Sequence, residues 1–206
     1  MTALDSTLWR RRLQAASAMT TQPPPSGVAR WFQCWRGAPA PASRATSPSP
    51  DEQLWRLLTQ SPQDLALQAR NIVRATPGAL LGSASDFGSI ELWTECELSA
   101  LHALSRIATR SQDQSLVERV ASAARFHLDE TQPDNATNRP WSIHVFALIA
   151  VDDADPEADL YAQTLLHNCM VQSGRPDPLS ALILTDAAEC LAHARAASDP
   201  AHLSEE

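Results

Sequence analysis

The chain has 206 residues, of which 44% are hydrophobic, 19% charged and 5% aromatic, and its formal net charge is −8. This excludes collagen-like and disulfide-scaffold classes and leaves room for one globular domain, or one domain with an arm. All 16 cationic side chains are arginine. Residues 1–50 hold six of them against one acid, Asp5, for a net +5; residues 51–206 hold ten against 23 acids, for a net −13. A body so acidic repels phosphate backbones, so no nucleic-acid partner is expected.

Residues 1–50 also hold seven of the 15 prolines, including Pro23-Pro24-Pro25. Such a stretch buries too little apolar surface to offset its ordering entropy, which predicts a disordered, basic, Pro-rich arm. The same composition suits a transit peptide, an over-extended gene start or a docking arm. Two islands interrupt it. Residues 4–18 have the pattern of a short basic helix with Leu4, Leu8 and Leu13 on one side, and Trp31, Phe32 and Trp35 form an aromatic cluster between Arg30 and Arg36.

From residue 51 the pattern is helical. Asp51 starts a short helix carrying Leu54, Trp55 and Leu58. Ser61-Pro62-Gln63-Asp64 reads as a cap with proline at the first helical position. It precedes Leu65, Ala69, Ile72 and Val73 on one face, up to Pro77-Gly78. A turn-rich stretch from Gly82 to Gly88 leads to a long helix, about 89–110, with Ile90, Trp93, Cys96, Leu101, Leu104 and Ile107 inward. A helix over about 115–128 follows, with Val117, Val120, Ala124 and Leu128 inward. After a polar loop at 129–139, Pro140, Pro156 and Pro178 open three further helices, to about Val151, Gln172 and Ala196. No sustained apolar/polar alternation marks a strand. The reading is an all-α domain over 51–198: six or seven antiparallel helices in stacked helical hairpins, solenoid-like or a partial α/α ring, with an acidic frayed tail at 199–206. About 148 residues bury ~68% of their chain surface, enough for a core without staples.

Several motifs carry little chemistry. Asp86-Phe87-Gly88 spells the kinase metal-binding tripeptide, but the chain has no lysine and no glycine-rich loop, so Asp86 reads as a turn or cap residue. Asn135-Ala136-Thr137 is a glycosylation sequon that matters only in a secreted chain. His167 and Cys169 lie ~200° apart on a helix and cannot share one ion. No metal and no cofactor are therefore expected. Cys34, Cys96, Cys169 and Cys190 form no CxxC pair. They read as free thiols in a reducing compartment, hence cytoplasmic. No run of 18 uncharged apolar residues is present, so no stable membrane insertion is expected.

Three features mark a candidate pocket. Glu91, Glu95, Ser99, His102 and Arg106 form a polar stripe on the long helix, readable as a solvated face or a groove lining. His144 sits in an otherwise apolar helix, where an imidazole needs a partner and is readily tuned. The loop before it carries Asp134 and Asn135, with Gln163 and His167 one turn apart on the following helix. The pocket expected from these is Glu95, His102, Asp134, Asn135, His144 and His167. The functional expectation is a protein-interaction or scaffold module with a protein partner. The alternative is a small enzyme or ligand-binding protein of α/α-ring type, in which an acid and a histidine act together.

Overall fold

The computed structural model describes residues 5–17, 27–39, 48–60, 64–131, 138–171 and 174–198. Their regular structure is helical, with no strand among the described residues. The helices are α1 (Ser6–Ser17), α2 (Gly27–Trp35), α3 (Pro50–Leu58), α4 (Leu65–Ile72), α5 (Ile90–Ser111), α6 (Gln114–Glu130), α7 (Ile143–Asp152), α8 (Pro156–Val171) and α9 (Pro178–Ser198). No helix among the described residues is long and apolar enough to cross a membrane.

By internal contacts the chain forms two compact units. The compositional boundary at residue 50 lies inside one of them, because both islands of the first 50 residues are helices with buried aromatic anchors. The proline-rich run at 40–47, Pro23-Pro24-Pro25 and the tail at 199–206 lie outside the described residues.

The unit Met1–Gln22 with Thr137–Glu206 packs α1 on α9 and α7, and α7 on α8 and α9. α1 buries Trp9, Leu13 and Ala16, while Leu8 is exposed. Its inward side is thus set by the tryptophan, which has more apolar area to remove from water than a leucine. α7 is apolar all round and correspondingly sunk, with Phe146 stacked on Tyr161 of α8 at 4.1 Å. Local punctuation starts the last two helices where the sequence places it. Asp155 accepts from the N–H groups of Glu157 and Ala158, and Asp177 from those of Leu179 and Ser180, each ahead of a proline at the first helical position.

The unit Pro23–Ala136 is built around α5, against which α3, α4 and α6 pack; α2 packs on α3. Ser89 caps α5 by accepting from Leu92 N–H, and Asp113 caps α6 by accepting from Leu116 N–H. Only Gln112 and Asp113 separate α5 from α6, so α6 folds back on α5. Asp86 ends a short 3₁₀ turn, Ala84–Asp86, and its side chain accepts from Ser83 N–H, a cap as expected. α4 begins at Leu65 after Asp64, whose φ is 65°; residues 61–63 are outside the described set. It ends at Ile72, ahead of Pro77-Gly78, because Val73 is already extended.

Two inward faces differ from the periodic reading. α6 buries Leu116, Ala123, Ala124 and His127, and leaves Val117 exposed. Its face is rotated by about one residue, ~100°, from the valine-led pattern. That rotation carries His127 inward and brings Arg119 to the loop at 74–79. The polar stripe of α5 is not a solvated face: Ser99 and His102 are buried, because α5 has neighbours on several sides.

Candidate functional site

Of the residues singled out in the sequence, Glu95 and His102 belong to the unit around α5. His102 is fully buried and Glu95, two turns earlier, is half-buried. His144 and His167 belong to the other unit, His144 in its core on α7 and His167 exposed on α8. Asp134 and Asn135 lie outside the described residues. Among the described residues, no group of three His, Cys, Asp or Glu side chains is placed to hold a metal ion.

His102 is part of an aromatic nest. Its ring lies 5.5 Å from that of Trp55, which meets Phe32 edge-on at 4.9 Å. Trp55 donates its indole N–H to Ser99 Oγ at 3.1 Å. Asp51, at the start of α3, is buried beside them and hydrogen-bonds with Ser49 and Ser99. Burial pushes its carboxyl pKa up, against the lowering effect of those bonds. Burial, then the charges of Asp51, Glu95 and Glu97, push the Cys96 thiol up to about 12. A thiol held so high is protonated at neutral pH and is not a nucleophile.

A second buried cluster was not anticipated from the sequence. Glu97 of α5 is fully buried, and its two oxygens accept from Leu80 N–H at 2.7 Å and Leu81 N–H at 2.6 Å. The loop it holds is also gripped by Arg119 of α6, which donates to the carbonyls of Arg74, Gly78 and Ala79 at 2.8–2.9 Å. Trp93 adds a bond to the carbonyl of Gly82. Behind Glu97 lies His127. The Thr131 hydroxyl gives its proton to the His127 carbonyl, so Thr131 Oγ1 accepts from His127 Nδ1–H at 3.1 Å. This turns Nε2 towards the Glu97 carboxylate, 3.6 Å away, an ion-pair distance rather than a hydrogen bond. The carboxylate and the guanidinium are thus engaged with the chain's own backbone, and their chemistry is to fix the loop at 74–82. A signal for Glu97 was present in the sequence: it lies four residues from both Trp93 and Leu101, so it is an acid in the middle of an apolar face.

One open feature among the described residues of this unit is a groove of about 510 Å³ between α3 and α4. Gln53, Arg56 and Leu57 of α3, with Gln60 just past its end, face Gln68 and Asn71 of α4 across it. The 3–4 spacing of the α3 residues puts them on one side of that helix. Leu57 is itself buried, as are Leu54, Trp55 and Leu58. Gln53 is steadied by donating to the Pro48 carbonyl, and the Arg56 guanidinium lies 5.1 Å from the centre of the Trp31 ring.

No protein-family model, curated protein or solved structure matches this chain.

The aromatic cluster of Trp31, Phe32 and Trp35 packs within its own unit. Phe32 is buried against Trp55, Trp31 lies under Arg56 and donates to Glu52, and Trp35 lies under Arg106 and Arg110.

Proposed function

We propose that the protein is a protein-interaction module and that the α3–α4 groove is where a partner's chain lies. The row of carboxamides in that groove carries the reading. A carboxamide offers one acceptor and two donors, and an extended peptide offers the complementary C=O and N–H groups along its length. The buried ionisable groups support it from the other side, since Glu97 and Arg119 are committed to the unit's own loop. The same proposal takes consecutive packed helices, α5 with α6 and α7 with α8, as the repeating hairpins of a helical scaffold. It takes a reducing, cytoplasmic setting from the free thiols, of which Cys96 and Cys169 are pushed up to about 12.

The test is an NMR titration of the full chain. A pool of capped peptides of mixed sequence is expected to shift the side-chain amide signals of Gln53, Gln60, Gln68 and Asn71, while the buried Leu80 and Leu81 amides stay in place. Shifts from a pool of short oligosaccharides, with none from peptides, overturn the proposal in favour of the small enzyme or ligand-binding protein weighed on the sequence.

A further inference from the structure

We propose that the α3–α4 groove selects an extended peptide carrying an internal acidic residue, with Arg56 as its anchor. This deepens, and rests on, the interaction reading above. Its lining holds one cation, Arg56, and no acid. In a chain of net charge −8, a groove of that sign favours an acidic occupant over a basic one.

Arg56 is also prepared for such a contact. Its guanidinium carbon lies over the Trp31 ring, 5.1 Å from its centre, and Trp31 is pinned by donating its indole N–H to Glu52 Oε1 at 3.0 Å. An arginine held over a ring face by the ring's negative potential offers its N–H donors to a carboxylate, which they meet in a two-pronged pair. Because that contact holds the side chain beforehand, less freedom is lost on binding.

The position of Arg56 says which kind of carboxylate it meets. Along the chain it lies between Gln53 of α3 and Gln60, two residues past the end of that helix. Carboxamides flank the cation on both sides, so the peptide continues in both directions from the anchored residue. That fits an Asp or Glu inside a segment, not a chain terminus. Leu57 and Ile72 supply apolar contact between the polar groups.

The experiment uses the full-length protein and an array of nine-residue peptides, acetylated and amidated so that no terminal charge remains, with mixed flanks and a central Glu, Gln or Lys. Glu-centred peptides are expected to bind about tenfold more tightly than Gln-centred ones. That preference should weaken with added salt and vanish in Arg56→Gln. Trp31 is expected to report the contact through its indole N–H signal. Folding of Arg56→Gln is checked by circular dichroism; should it fail, the Glu-against-Gln comparison on the natural chain still decides. Peptides that shift the groove amides without preferring Glu overturn this inference and leave the interaction module standing. No peptide response at the groove overturns both. Inorganic phosphate competing as well as Glu-centred peptides shows a bare cation and overturns the inference too.

Discussion

Trp9 donates its indole N–H to Asp159 at 3.0 Å, across 150 positions of sequence. The bond joins α1 to α8 within one unit, and Trp9 is 1% exposed. A helix set among proline-rich segments is thus part of a core. Trp9→Ala is expected to cost about 3–5 kcal/mol, the range for emptying a large aromatic site. Trp9→Phe keeps most of the apolar volume and is expected to cost nearer 1 kcal/mol for the lost bond. Urea denaturation followed by circular dichroism measures both. A Trp9→Ala variant with an unchanged midpoint would show that α1 adds nothing to this unit.

Glu97 is the residue on which the loop at 74–82 depends. Glu97→Ala leaves the buried N–H of Leu80 and the part-buried N–H of Leu81 without their acceptor, and is expected to cost about 3 kcal/mol. Hydrogen exchange gives a local readout. The Leu80 and Leu81 amides should exchange faster in the variant, while those in α3 change less. Equal acceleration everywhere would mean global loosening, not release of one loop.

Two aspartates push stability in opposite directions with pH. Burial raises the Asp51 pKa, so its contribution is fully present below its unfolded value of 3.8 and is lost as pH rises through the folded value. Asp51→Asn is therefore expected to stabilise the protein at neutral pH, with the gain shrinking towards pH 4. Asp113 is held at about 2 by hydrogen bonds from Ser115 and Arg70, so its contribution is present above 3.8 and is lost as pH falls towards 2. Asp113→Asn should remove part of the acid sensitivity. Thermal melts across pH check both, and Asp51→Asn lowering the melting temperature at pH 7 would contradict the first.

Cys96 and Cys169, both pushed up to about 12 chiefly by burial, are expected to resist alkylation by iodoacetamide at pH 8. They should react promptly once the chain is unfolded. Mass spectrometry of timed digests resolves the four thiols. Native Cys96 alkylated as fast as a free thiol would contradict its burial.

How much of the site was readable follows the range of the forces. The α3 face Gln53, Arg56 and Leu57 is visible as helical spacing. The groove is not, because its other wall, Gln68 and Asn71, is placed by the packing of α4. His102 and Ser99 read as part of a polar stripe, either solvated or lining a groove; they are buried because Trp55 and Phe32 come to them from α3 and α2.

The sequence by itself determined where four of the described helices begin and that the described chain is helical. Ser89, Asp113, Asp155 and Asp177 cap their helices through N–H groups two or three residues away, and such bonds need nothing from the rest of the chain. Tertiary structure decided which face of each helix is inside. Leu8 points out and Trp9 in, Val117 out and Leu116 in, because each face is chosen by partners brought from distant positions. It also decided the use of the charges: Glu97 and Arg119 meet one loop from two helices, an arrangement that no local spacing encodes.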